Sequence, residues 1–216
     1  DDEYAPVDVL ADIGAEVVFL ADVEVQALGA GPAWDRVGVV RYPTRRSFIE
    51  MQSREDFRER HVHKEAGMAA TIVMGCRPME VPALPDGVVE VDWADVPHPP
   101  TDDDGPMMVI HVLSFNDPDG AKRTPDHMSA YQRVAAESAA AQGIRIAGWF
   151  SVEGTILGDG RQWHQVRFNG FPSRRAFMAV VNDPRRLEAQ RDHREVAIAD
   201  TYTLMTRATI PFSDAR

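Results

Sequence analysis

The stretch Gly143–Val180, GIRIAGWFSVEGTILGDGRQWHQVRFNGFPSRRAFMAV, has a second copy 129 residues earlier, Gly14–Met51, GAEVVFLADVEVQALGAGPAWDRVGVVRYPTRRSFIEM. The two align without a gap and agree at twelve of 38 positions, among them Val23/Val152, Leu28/Leu157, Gly29/Gly158, Gly31/Gly160, Trp34/Trp163, Pro43/Pro172, Arg45/Arg174, Arg46/Arg175 and Phe48/Phe177. After one inserted residue the register resumes, pairing His63, Lys64 and Glu65 with His193, Arg194 and Glu195. Self-similarity of this length marks two homologous units in one chain. Between them, residues 78–106 are rich in proline and carry the acidic run Asp102-Asp103-Asp104, a composition suited to a surface connection. The expected organisation is therefore an N-terminal repeat over 1–77, a linker over 78–106 and a C-terminal repeat over 107–216.

Working outward in the C-terminal repeat, Met107–Phe115 is an apolar run bounded by Pro106 and the turn-like Asn116-Asp117-Pro118-Asp119-Gly120, and reads as a strand. Thr124-Pro125-Asp126 offers an N-cap and a first-turn proline to an alanine-rich helix that stops at Gly143. Ile144–Glu153 and Gln162–Phe171 read as strands, Pro172-Ser173 opens a second helix, and Tyr202–Ile210 closes the repeat as a strand. The order is βαββαβ. The N-terminal repeat offers the same elements from the first helix onward, with strands near Ala15–Val25, Trp34–Tyr42 and Thr71–Arg77 and a helix from Thr44, but no first strand. Because that strand would lie mid-sheet, where unpaired backbone groups are costly, either upstream residues or another segment is expected to supply it.

Composition sets the boundaries of function. With 216 residues and 44% hydrophobic content the chain can bury a core, and none of its apolar runs approaches the roughly 20 residues of a membrane-spanning helix. The net charge of −11 repels phosphate backbones, so neither nucleic acid nor membrane is an expected partner. The single cysteine, Cys76, excludes an intrachain disulfide, fits a reducing, cytoplasmic compartment and reads as a small buried hydrophobe. The first residue is Asp1, which suggests that the natural chain begins further upstream. Phosphate-cradling glycine loops, nucleophile elbows and Cys-x-x-Cys pairs are all missing from the sequence.

The runs Trp34–Val37, Arg41–Phe48 and His61–Met68 resemble the short ferredoxin-like family called the domain of unknown function thirteen-thirty, which is close in style to the NIPSNAP and EthD-like proteins. The resemblance covers most of both repeats and excludes the linker. It implies a dimeric α+β barrel, two four-stranded sheets packed face to face with helices outside, built here as an intrachain pseudo-dimer. Relatives in that superfamily include cofactor-free monooxygenases, lactone isomerases, polyketide cyclases and haem-dependent enzymes, so the fold alone assigns no reaction.

Strand alternation nominates the chemistry. His111 shares a face with Val109 and Leu113, while Gln165, Arg167 and Asn169 share the face opposite Val166 and Phe168. The matching N-terminal positions, Gly38 and Val40, carry no polar group, so the C-terminal repeat is expected to line the pocket. His111 is a candidate acid or base, with Arg167 and Asn169 polarising a substrate oxygen and Gln165 and Trp149 beside them; a core histidine paired to its neighbours is the alternative. The repeated pairs His63 with Glu65 and His193 with Glu195 could supply an oriented imidazole, or could do a shared structural job before the last strand. His61-x-His63 has metal-ligand spacing but no further ligands. Trp34 and Trp163 could stack on a ligand or simply pack. The expected protein binds a small molecule between its two sheets and needs no cofactor. It is either a cofactor-independent enzyme of the isomerase, lyase, cyclase or monooxygenase kind or a non-catalytic ligand-binding or stress-related module, with a haem or metal enzyme as a further alternative. Further homodimerisation through edges or helices stays open.

Overall fold

The computed structural model describes residues 7–59, 67–83 and 90–212 and is a mixed α+β protein. Its elements in chain order are α1 (Val7–Asp12), β1 (Glu16–Leu28), β2 (Arg36–Arg41), α2 (Arg45–Ser53), β3 (Val73–Pro78), β4 (Met107–Phe115), α3 (Asp126–Ala141), β5 (Arg145–Leu157), β6 (Gln165–Phe171), α4 (Arg174–Val181), α5 (Pro184–Ala189), a π-helical turn (Gln190–Arg194), a short α6 (Glu195–Ala197) and β7 (Ile198–Ile210). They form two compact units. The smaller comprises Asp1–Asp22, Trp34–Thr71 and Ala208–Arg216, the larger Val23–Ala33 and Ile72–Arg207.

In the larger unit the strand order is β1–β7–β4–β6–β5–β3, with β1 entering it from Val23. The pairs β4/β7, β4/β6, β5/β6 and β3/β5 are all antiparallel. From β4 to β7 the strands and helical connections follow βαββαβ, with α4, α5, the π-helical turn and α6 together making the second connection, and the four strands lie in the spatial order fourth, first, third, second. Strand β4 runs over the residues expected of it; β7 begins four residues before Tyr202, and β5 continues to Leu157. Thr124 does not cap α3. The helix begins at Asp126 behind Pro125 with no side-chain cap, and the Thr124 hydroxyl instead accepts from Gln165 Nε2 at 3.4 Å.

One face of this sheet carries the helices. Met107, Val109, Phe171 and Met205 pack with Ala139, Ala176, Phe177 and Val180 in one apolar cluster. Leu113 and Phe115 pack with Met128, Tyr131, Ala189 and Ala197 in a second. Both clusters draw on the odd-numbered residues of β4, and His111 is the odd position between them. The linker is more than a surface connection here: Val96 is buried, and the Trp93 indole donates to the Gly143 carbonyl at 2.7 Å while the Arg145 guanidinium lies 4.3 Å above its ring. Asp104 of the acidic run accepts from the backbone N–H groups of Arg174 and Arg175 at 2.7 and 3.2 Å, which places a carboxylate against the positive end of α4.

In the smaller unit the earlier part of β1 pairs antiparallel with β2, and Leu10, Ala15 and Met51 form the buried centre with Val17, Val40, Tyr42 and Phe48 against it. Among the described residues no strand pairs with the far side of β2, so none supplies the expected first strand of the N-terminal repeat.

The offset of 129 recurs in the local structure. The β1/β2 register shifts between Val17 and Phe19, and the β5/β6 register shifts between Ile146 and Gly148, the same repeat positions. Thr44 accepts from Ser47 N–H to cap α2, and Ser173 accepts from Ala176 N–H to cap α4, each at 3.1 Å. Tyr42 and Phe48 meet edge to face at 5.3 Å between centroids, and so do Phe171 and Phe177. Gly14 and Gly143 both take positive φ, 69° and 74°, where the chain leaves a helix for a strand.

Candidate functional site

The candidate residues nominated by the sequence meet on the interrupted apolar face of β4. In register, His111 stands opposite Thr203 of β7 and opposite Arg167 of β6, and Arg167 stands opposite Trp149 of β5. Directly opposed residues share a face, so Thr203, His111, Arg167 and Trp149 form one row across four strands. The row lies on the face covered by α3 and α5, between the two apolar clusters. A site between two sheets would use the opposite face, the one presenting Val112 and Phe168. Alternation assigns residues to shared faces and leaves open which face the helices cover.

The row is polar and enclosed. Arg167 is 3% exposed; its Nε and one terminal nitrogen donate to Gln165 Oε1 at 3.2 and 2.5 Å, and its guanidinium lies 4.1 Å from the Trp149 ring centroid and 5.9 Å from that of Phe115. Gln165, fully buried, spends its amide on the Gly120 carbonyl at 2.9 Å, which holds its oxygen toward the arginine. The partly buried His111 places Nδ1 3.1 Å from the Thr203 hydroxyl. Burial, followed by the charges of Arg194, Arg167 and Arg186, pulls its pKa down to about 3, so the ring is neutral at pH 7. Burial and then Arg194 likewise lower Arg167 to about 9, which leaves it charged.

Helical residues close the site. Arg186 of α5 donates to the Tyr131 hydroxyl at 3.0 Å, to the Val181 carbonyl at 2.8 Å and to Gln190 Oε1 at 2.9 Å. Arg194, last residue of the π-helical turn, is 7% exposed, and among the described residues no group accepts a hydrogen bond from its side chain or forms an ion pair with it. Burial is the main reason its pKa falls. Single π turns recur at functional sites because the extra residue re-aims side chains, and here the turn carries Arg194 inward.

The remaining candidates are placed as follows. Asn169 stands opposite Val109, one pair further along the face. Trp163 is 2% exposed and packs on Tyr202 at 5.3 Å with Arg161 at 4.8 Å, a packing role, while Trp34 is half-buried in the smaller unit. His193 sits with Nδ1 3.3 Å from that of His127, and exposed Glu195 accepts from Gln190 Nε2 at 3.2 Å; no hydrogen bond joins His193 to Glu195. His61, His63 and Glu65 lie outside the described residues. Cys76 is exposed on β3, not buried as expected, and desolvation, then Glu153, pushes its thiol up to about 11, away from reactivity at neutral pH. The paired arginines serve acids: Arg174 joins Glu24 at 3.1 Å and Arg175 joins Asp104 at 3.0 Å.

Sequence reading missed Tyr131, Arg186, Arg194 and His164. Buried His164 accepts from Phe115 N–H through Nδ1 at 2.9 Å, which leaves its Nε2 buried without a partner. For Arg194 a signal was present, since it is the central residue of the repeated His-basic-Glu motif; successive helical side chains diverge by about 100°, so only one of the three can face the sheet.

No family model matches the chain, and no curated protein matches it. Among the described residues no helix is long and apolar enough to cross a membrane, and no group of three or more His, Cys, Asp or Glu side chains is arranged to hold a metal ion. Two solved structures are similar to part of it. One is the RPA0582 protein of unknown function from Rhodopseudomonas palustris, 24% identical, covering 47% of this chain and 82% of that one with a TM-score of 0.40. The other is the methylated RPA0582 protein, 22% identical, covering 52% of this chain and 87% of that one, also with a TM-score of 0.40.

Proposed function

We propose that this protein binds a small molecule at the row Thr203, His111, Arg167 and Trp149, beneath Tyr131 and Arg194, and that the chain is a tandem α+β barrel protein of ferredoxin-like repeats acting as its own dimer partner. The observation that carries the binding reading is the polar row itself, which interrupts an otherwise apolar helix–sheet core with two arginines that are more than nine-tenths buried. Burying such groups costs several kcal/mol unless they are paired, so a purely structural core has no use for them. The dimer reading is supported by the strand exchange: β3 and the later part of β1, both from the N-terminal repeat, flank the four strands of the C-terminal repeat at β5 and β7. A reducing, cytoplasmic setting accords with the lone cysteine.

A catalytic version of this reading needs no cofactor. If Nδ1–H of His111 donates to Thr203, its Nε2 presents a lone pair that accepts a hydrogen bond and orients the substrate, and the arginines stabilise the oxyanion that forms. Native mass spectrometry of freshly purified protein, compared with its denatured mass, tests the reading. A retained small molecule that disappears in Arg167→Met, with the circular dichroism spectrum unchanged, is the expected result. A clean apo mass together with no saturable response in a ligand screen overturns it.

A further inference from the structure

Resting on that small-molecule reading, we infer that the ligand is an oxyanion, a molecule presenting a carboxylate or phosphate group to the guanidinium groups of Arg167 and Arg194. Arg186, Arg167 and Arg194 all bear electrostatically on His111, and their described partners are neutral: an amide oxygen for Arg167, and a phenol, a carbonyl and an amide oxygen for Arg186. Among the described residues no ion pair engages any of the three, although acidic residues outnumber basic ones across the chain, 34 to 23. The carboxylate that bears on the cluster is that of exposed Glu195, which acts on Arg194 without forming an ion pair and spends a hydrogen bond on Gln190. Elsewhere the chain's arginines take acids routinely: Arg161 is held by Asp159 and Asp200, Arg174 and Arg207 by Glu24, and Arg185 by Glu137.

Cations gathered out of water without counter-charge cost stability, and an anion arriving from solution removes that cost while gaining charge-assisted, forked hydrogen bonds. Arg194 has its full set of donors unspent, and Arg167 is fixed from below by Gln165 and from the side by Trp149, so the second guanidinium is held in place before a ligand arrives. The aromatic walls, Trp149, Phe115 and Tyr131, suit an organic body behind the charged head. A cationic ligand is excluded by the same field.

The test uses the full chain, with sodium benzoate, inorganic phosphate and the neutral isostere benzamide as probes, read by calorimetric titration and thermal unfolding. Benzoate or phosphate binds and raises Tm, benzamide binds at least about tenfold more weakly, and Arg194→Met lowers anion affinity about tenfold or more. Tighter binding of phosphate points to a tetrahedral phosphoryl group, and of benzoate to a planar carboxylate. Arg36→Met, at an exposed ion pair in the smaller unit, leaves the affinity unchanged and so excludes general attraction of anions. Should Arg194→Met fail to fold, Arg194→Lys, which keeps the charge but loses the fork, weakens the anion and leaves benzamide unchanged. Benzamide binding as tightly as benzoate, with no effect of either Arg194 variant, overturns the anion and leaves the small-molecule site standing. Failure of all three probes, alongside a clean apo mass, overturns both.

Discussion

Two pairs of residues occupy the same place in the two repeats. Trp149 faces Arg167 across β5 and β6, and 129 residues earlier Leu20 faces Gly38 across β1 and β2, each pair just beyond the same register shift. Capping hydroxyls, edge-to-face aromatic pairs and positive-φ glycines are also held in common. What the repeats share is the set of devices that shape backbone; what they do not share is charge at the centre of the sheet. The backbone devices recur at the offset of 129, and among the described residues the polar row is found in the C-terminal half, where strand β4 supplies His111 and α5 with the π turn supplies the arginines above it.

The largest expected effect tests whether the shared devices carry equal weight. Phe171→Ala removes a buried member of the main cluster and costs about 3–5 kcal/mol in urea denaturation, whereas Tyr42→Ala, at the matching half-buried position, costs about 2 kcal/mol. Equal losses would show that the aromatic pair matters by itself, independently of burial.

Next comes the pH response of the row. His111 is folded with its pKa lowered to about 3, against an unfolded value near 6.5, by burial and by Arg194, Arg167 and Arg186. The unfolded chain therefore binds the extra proton first, and stability falls as pH drops from 6.5 toward 3, by up to about 1.4 kcal/mol per pH unit for this one group. His111→Gln removes that slope, measured as the difference between denaturation series at pH 6.5 and 4.5.

Much of this scaffold was legible beforehand, for physical reasons that the residues make plain. Met107–Phe115 is a strand because it is short, apolar and bounded by proline and turn residues; Ser173 and Thr44 cap helices because their hydroxyls answer orphan N–H groups. The grouping of His111 with Leu113, and of Arg167 with Gln165, followed from alternation alone. The face on which the row lies did not, since period two is symmetric until helices choose a side. Nor did Tyr131, Arg186 and Arg194, which lie on helical segments outside the strands and meet the row only through the tertiary packing of those segments. The linker's Trp93 and Val96 were hidden by the prolines around them, a composition that reads as surface.

A smaller contrast concerns the caps. Ser173 is fully buried and its hydroxyl also donates to the His98 carbonyl at 2.8 Å, so Ser173→Ala costs about 2 kcal/mol, whereas exposed Thr44→Ala costs about 0.5 kcal/mol. Parity between them, read from thermal unfolding, would mean that the second hydrogen bond contributes nothing.

The smallest effect belongs to the transplant Leu20→Trp with Gly38→Arg, which writes the C-terminal pair into the N-terminal register. Gly38 is exposed, and a Cβ there meets Leu20 Cδ1 at 3.5 Å, an ordinary contact, so the change stays within about 1 kcal/mol. It also adds no benzoate binding by calorimetry, because the neighbouring histidine and the capping arginines do not come with it. New binding there would show that two opposed residues suffice for the site.

Strand β3, at the end of the strand order, carries a further consequence. It slips register twice in six residues, ends in Pro78, which has no N–H to offer, and sets the charged Arg77 against Glu153. An outer strand so bent, so short and so charged makes a poor template for another chain. A sheet of this width thereby acquires protection against growing into a fibre, and the protection is built from the same irregularities that would count as defects in its interior.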